Sequence, residues 1–330
     1  MRYRRLGQTD LEMSVLGFGA SPLGNVFSVV DPAESTRAVH QAIDWGINFF
    51  DVSPYYGATL AEQRLGTALV GRRNEVILTT KCGRYGANDF DFSPRTIVDG
   101  VDASLARLKT DYIDLLQVHD VEFGNVELIV TETLPALQGL QQIGKARYIG
   151  ITGYSLETLI TIAKLAPIDS ILSYCRYNLM VHDMDKTLTP LAKKKGIGLI
   201  NASPLHMGIL SPSEIPTWHP APPEIQAAGR RADEICKSHG LRLTEVALRF
   251  SLAHPYAAST LVGMSNVKQL EENLRALEPS DDASVIEEIV TAIGSNLNYV
   301  WPSGRTDYVE SSARTRSISS RLRSDCDHQP

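Results

Sequence analysis

The sequence predicts an α/β chain closed into a (β/α)₈ TIM barrel, and three observations lead there. Eight short apolar runs follow one another along the chain, most of them separated by one segment of helical period. The runs are apolar nearly throughout instead of alternating, as parallel strands covered on both faces must be. The length, 330 residues, suits one such barrel with additions, and an open doubly wound sheet usually carries fewer strands.

An N-terminal segment with hairpin character comes first, and SVLGFGAS is the first barrel strand. DPAESTRAVHQAIDWG then offers a capping aspartate, a proline in the first turn, apolar residues at helical spacing and a terminal glycine. NFFDVS is the second strand, LAEQRLGTALVG a helix and VILTTKCG the third strand. A long helix from Ser93 to Leu108 leads into IDLLQVH, and ELIVTETLPALQGLQQIG leads into ARYIGIT. SLETLITIAKLAP precedes SILSYC, and DKTLTPLAKKKG precedes GLINASP. Two helix-like stretches between Pro222 and His254 precede STLVGM, and NVKQLEENLRAL closes the series. Residues 205–224 hold five prolines without a clear period, which reads as a long loop over one mouth of the barrel. The barrel domain therefore covers 1–304. Residues 305–330, rich in Arg, Ser and Asp, read as a disordered C-terminal tail.

Composition excludes several classes of function. A net charge of −6 argues against nucleic acid or an anionic membrane as partner. No segment approaches the roughly 20 apolar residues of a membrane span, and the start lacks the apolar run of a secretory signal. The four cysteines, Cys82, Cys175, Cys236 and Cys326, have no paired spacing that suggests a metal site or a disulfide framework. A reducing cytoplasmic setting, no metal, and a monomer or homodimer are the expectations.

In a parallel barrel, chemistry gathers at the carboxyl ends of the strands. Asp51 ends the second strand, Tyr56 follows in the loop DVSPYYG, Lys81 ends the third strand and His119 the fourth. An ammonium among apolar neighbours needs an anionic partner, and Asp51 is the candidate. Tyrosine, with a pKa of about 10, is a poor base at neutral pH. A lysine ammonium nearby lowers such a pKa by roughly 1–3 units, which lets the phenol both give and take a proton.

FFDVSPYYG, TTKCGRYG, LLQVHD, GITG, ASPL and LVGMSNVKQLEEN occur in this order, and together they resemble the signatures of the aldo-keto reductase family over residues 1 to about 304. FGASPLGNVF, SPYYGATLAE, HDVEFG, ILSYCRYN, NASPLHMGIL and WPSG resemble most the branch of that family that oxidises L-galactose. The resemblance implies a catalytic tetrad of Asp51, Tyr56, Lys81 and His119 and a nicotinamide cofactor. GFGASPLG is no dinucleotide fingerprint, because its third glycine is misplaced and the next helix begins too late.

By the same resemblance Ser203 and Leu205 contact the pyrophosphate. Gly263 to Asn273, including Ser265, Gln269, Glu272 and Asn273, wraps the adenosine half. Relatives that bind NADP place cations at the positions of Ser265 and Gln269, so NAD is the expected cofactor, with Lys268 the one residue that argues for NADP. Thr152 and Gly153 replace the usual Ser-Asn pair at the nicotinamide, Tyr174 a common glutamine and Ala202 a frequent tyrosine. Thr152 is the remaining candidate there.

Polar side chains near the proposed mouth suit a sugar: Ser21, Arg84, Tyr85, Asp120, Glu122, Arg176, His206 and Trp301. The expected reaction is NAD-dependent oxidation of an aldose at C1 to the lactone, L-galactose first and L-fucose-like sugars next. An NADPH-dependent carbonyl reductase on the same tetrad is the alternative. A cofactor-binding regulatory subunit is the third reading, which an intact tetrad disfavours.

Overall fold

The computed structural model describes residues 1–212, 214–215 and 217–305. Eight parallel strands close into the predicted barrel: β3 (Leu16–Gly19), β4 (Phe49–Asp51), β5 (Ile77–Cys82), β6 (Ile113–Val118), β7 (Ala146–Gly153), β8 (Ser170–Tyr174), β9 (Gly198–Ala202) and β10 (Ala257–Gly263). β10 pairs with both β9 and β3, which completes the ring and leaves no edge strand. The strands are buried almost end to end, which explains their unbroken apolar runs.

Helices alternate with the strands in the order the sequence predicts. They are α1 (Pro32–Asp44), α2 (Leu60–Ala68), α3 (Pro94–Leu108), α4 (Val126–Leu128) continuing into α5 (Leu134–Gln142), α6 (Leu156–Leu165), α7 (Met184–Lys195), α8 (Pro223–Ser238), α9 (Leu243–Leu252) and α10 (Val267–Arg275). Asp31 caps α1 by accepting from Ala33 N, with Pro32 in the first turn, as the sequence indicates.

Two details differ from the sequence reading. The helix through ELIVTETLPALQGLQQIG is not uniform, because Ile129–Thr133 forms a π turn between α4 and α5. Pro135, two residues beyond it, offers no N–H to the helical ladder, so the chain widens there instead of continuing regularly. The series also does not close at α10. An eleventh helix, α11 (Ala283–Ile293), buries Val285, Ile289 and Ile293 at four-residue spacing and packs on α8. The expected tail, Arg305 apart, lies outside the described residues.

The N-terminal hairpin, β1 (Tyr3–Arg5) with β2 (Glu12–Ser14), lies under the amino ends of the strands. Its Leu6, Leu11 and Met13 are fully buried against Phe49, Leu115, Leu172, Ile200 and Leu261 of the barrel interior. Burial on this scale contributes about 1.5–3 kcal/mol per side chain. The hairpin is therefore a stopper that leaves the carboxyl mouth as the accessible end.

Candidate active site

The loop after β4 carries Tyr56, and backbone hydrogen bonds fix its path. Tyr56 N donates to Ser53 O (3.1 Å) and Thr59 N to Pro54 O (2.8 Å) before α2 begins. Helix α2 is pinned in turn by Glu62, a fully buried carboxylate that accepts from Thr80 Oγ1 (2.6 Å) and Arg107 Nε (2.6 Å). Gly57 allows the loop to approach the segment after β3. A Cβ there would stand 2.0 Å from Gly24 O, and its φ of +62° is left-handed. Gly57→Ala is expected to cost about 3 kcal/mol from strain and overpacking. Urea unfolding checks the stability, and turnover should fall as Tyr56 is displaced.

Alternation along β4 and β5 turns Asp51 and Lys81 into the barrel mouth. Lys81 Nζ donates to Asp51 Oδ1 (2.5 Å), Val52 O (2.9 Å) and Tyr56 OH (3.3 Å), with the side chain 2% exposed. An ammonium has three N–H bonds, and these partners account for all three. His119 follows β6, anchored by its N–H to Cys82 O (2.8 Å), and its ring meets Tyr56 edge-on at 5.8 Å between centroids. The four side chains singled out in the sequence thus converge on one point.

The electrostatics modify the expectation for Tyr56. Burial pushes its phenol above the usual value, further than the adjacent Lys81 charge pulls it down. The lysine alone therefore does not give a phenolate at neutral pH. Burial opposes the Lys81 charge too, but Asp51 and Tyr56 together hold the ammonium above its ordinary range. Burial, with Lys81 and Arg84 nearby, holds His119 well below its ordinary value, so the imidazole is neutral. Asp51 is pushed up by burial against the pull of Lys81.

A second polar group borders the first. Arg84 pairs with Asp120 and lies 3.8 Å over the Tyr55 ring, and Asp120 Oδ2 is 3.6 Å from His119 Nε2. Asp120 N donates to Thr152 Oγ1 (3.1 Å), so the two predicted residues brace each other. Glu122 accepts from Tyr154 N (2.8 Å), and burial together with the Asp120 charge pushes its carboxyl up to about 7.

The other predicted substrate residues are placed differently. Ser21 opens a short turn beside Asp51, since Ala20 N donates to Asp51 O (2.8 Å). Tyr85 is tied back to α3, its hydroxyl donating to Thr96 O (3.2 Å). Arg176 is committed to Asp183, with Nε to Oδ1 at 2.9 Å, and lies over the Tyr154 ring. Trp301 stacks on that same ring at 4.8 Å. The Tyr85 phenol is thus engaged by Thr96 and the Arg176 guanidinium by Asp183.

His206 is fully buried, with Nδ1 3.1 Å from Asn178 Nδ2, and burial pushes its pKa down to about 3. The unfolded chain therefore binds a proton below pH 6.5 that the folded protein refuses until pH about 3. Stability attributable to this residue is complete above 6.5 and is lost as pH falls. The slope is about 1.4 kcal/mol per pH unit. Between pH 7 and pH 5 the protein should lose about 2 kcal/mol more than His206→Gln in urea unfolding.

The rim formed by β9, β10 and the adjacent β3 has the properties a flat dinucleotide needs. Gly19, Ala202 and Gly263 present little or no side chain there, and Ser203 turns the chain with a φ of 56°. Leu205 follows, half-buried. Asn266 caps α10 by accepting from Gln269 N (2.9 Å), which directs a helix N-terminus to the same side. Ser265 N (2.8 Å) and Oγ (3.1 Å) both donate to Gln269 Oε1. Glu272 is half-buried and Asn273 buried on α10, whereas Lys268 is exposed. The residues present therefore fit a nicotinamide dinucleotide.

Sequence reasoning missed Val52, whose carbonyl takes the third Lys81 proton, and Tyr55, the platform for Arg84. It also missed Ser53, 3.0 Å from His119 Nδ1, and the close contact of Gly24 with Gly57. The only available signal was their position inside DVSPYYG and SPLG. Among the described residues no group of His, Cys, Asp or Glu is arranged to hold a metal ion. Nor is any helix among them long and apolar enough to cross a membrane.

Residues 15–293 match the profile of the Aldo/keto reductase family, and the chain belongs to that family. It is an oxidoreductase of this type. It is 46% identical to L-galactose dehydrogenase of Arabidopsis thaliana over 312 residues, which cover 91% of this chain and 97% of that protein. It is 30% identical to D-threo-aldose 1-dehydrogenase of Pseudomonas sp over 292 residues, 80% of this chain and 89% of that one. Among solved structures, the holo form of aldo-keto reductase AKR11C1 from Bacillus halodurans matches with a TM-score of 0.76. The identity is 29%, and the match covers 92% of this chain and 99% of that chain.

Proposed function

We propose that this chain is an NAD-dependent aldose 1-dehydrogenase, acting on L-galactose first and L-fucose-like sugars next. The observation that carries the reading is the Lys81 ammonium, shared between Asp51 and the hydroxyl of Tyr56 beside a neutral His119. The similarity to aldose dehydrogenases over nearly the whole chain supports the substrate class.

A bound oxidised nicotinamide supplies the hydride acceptor and a positive charge that favours the phenolate. Tyr56 accepts the proton of the C1 hydroxyl, and Lys81 stabilises the resulting negative charge on the phenol oxygen. Asp51 holds Lys81 in place and charged. His119 hydrogen-bonds the reacting oxygen and orients it between the two rings. Arg84 and Asp120 offer a donor and an acceptor to further hydroxyls of the sugar. Ser203 and Leu205 would hold the pyrophosphate, and Gly263, Ser265, Gln269, Glu272 and Asn273 the adenosine half. Thr152, whose hydroxyl proton is uncommitted to any described hydrogen bond, would hold the carboxamide.

NAD is preferred because Ser265 and Gln269 satisfy each other and offer no cation to a 2′-phosphate. The exposed Lys268 is the feature that favours NADP and a carbonyl reductase running in reverse. A cytoplasmic setting is supported by Cys82, Cys175 and Cys236, which are free and buried.

A panel of L- and D-aldoses with NAD and NADP, read by absorbance of the reduced nicotinamide, tests the proposal. Strong turnover of L-galactose with NAD and little with NADP is the expected result. No turnover of any aldose, or reduction of aldehydes with NADPH only, would overturn it.

A further inference from the structure

Ser53 lies between Asp51 and Tyr56 and is fully buried. Its Oγ accepts from Tyr55 N (3.2 Å) and lies 3.0 Å from His119 Nδ1. A hydroxyl has one proton to give and two lone pairs. The Tyr55 N–H takes one lone pair. Among the described residues, Nδ1 is the one remaining hydrogen-bond partner of that hydroxyl. If Nδ1 carried the ring proton, the Ser53 O–H would be buried without an acceptor, a loss of about 1–3 kcal/mol.

The opposite edge of the ring points the same way. Nε2 is 3.6 Å from Asp120 Oδ2, where a lone pair would be repelled and an N–H attracted. That pull is the weaker one, since Asp120 is engaged with Arg84. The neutral ring carries a single proton, so both edges cannot be donors.

We propose that Ser53 is a positioning residue: by donating its hydroxyl proton to Nδ1, it fixes His119 as the tautomer protonated on Nε2. Resting on the dehydrogenase reading above, this presents a donor, not an acceptor, to the reacting oxygen. As the sugar hydroxyl loses its proton to Tyr56, the oxygen gains negative charge, which an N–H stabilises and a ring lone pair opposes. The loop that carries the base thus also sets the state of its partner.

Ring ¹H–¹⁵N correlation spectra of the full chain test this, with His119 assigned by the signals lost in His119→Gln. In the wild type the proton should be on Nε2. In Ser53→Ala a population protonated on Nδ1 should appear, and kcat should fall about tenfold, the scale of one weakened hydrogen bond. The KM for the nicotinamide should not change, and Ser53→Thr, which keeps the hydroxyl, should restore both tautomer and turnover.

A wild type protonated on Nδ1, or a Ser53→Ala spectrum with the tautomer unchanged, would overturn the proposal. If the tautomer responds but the wild type oxidises no aldose, the dehydrogenase reading fails and the assignment of Ser53 stands. If L-galactose is oxidised but the tautomer does not respond, the assignment of Ser53 fails alone.

Discussion

Tyr56→Phe is expected to lower kcat by about 100- to 10,000-fold, the range attributed to general acid–base catalysis. Phenylalanine keeps the ring that packs edge-on against His119 and removes only the oxygen that Lys81 approaches at 3.3 Å. Cofactor affinity, followed by fluorescence titration, should stay within about twofold, a change well below 1 kcal/mol. Turnover near the wild-type rate would remove Tyr56 from the chemistry. The wild-type rate of oxidation should also climb with pH through the neutral and alkaline range. Burial holds the phenol above its usual value, and the active form is the deprotonated one.

Lys81→Met should have a second large effect, in two separable parts. Lys81 lowers the Tyr56 pKa, so its removal must shift the climb in rate toward higher pH. The same change leaves Asp51 buried without its cation, and breaking such a pair costs about 3–5 kcal/mol. Among the described residues Asp51 Oδ1 bonds Lys81 alone and Oδ2 has no partner, so protonation of Asp51 is what limits that loss. A double variant, Lys81→Met with Asp51→Asn, should recover stability in urea without recovering activity. Recovery of both would mean that the pair is structural.

The positions of the tetrad were legible in the sequence because strand ends in a parallel barrel are fixed by strand order. Asp51, Lys81 and His119 required only that NFFDVS, VILTTKCG and LLQVH be adjacent strands, which their apolar runs indicate. Tyr56 required in addition that a short loop turn back, a property that Pro54 and Gly57 suggest. The net direction of the Tyr56 pKa was not legible. It is set by how completely the phenol is desolvated, which spacing does not report. Tyr85 and Arg176 show the same limit. Each is expected at the mouth by position, and each is engaged by a partner, Thr96 or Asp183, that no short-range pattern identifies. The eleventh helix has helical spacing in VIEEIVTAI, but among the described residues no further strand follows it to mark it as part of the barrel.

The stopper formed by the first fourteen residues gives the family match an unexpected boundary. The matched region starts at Val15, one residue after β2 ends, so it begins just past the stopper. A chain trimmed to that region would retain every catalytic side chain, yet water could reach Leu115, Leu172 and Ile200 from beneath. The pocket at the top depends on a floor assembled from residues the reaction never meets.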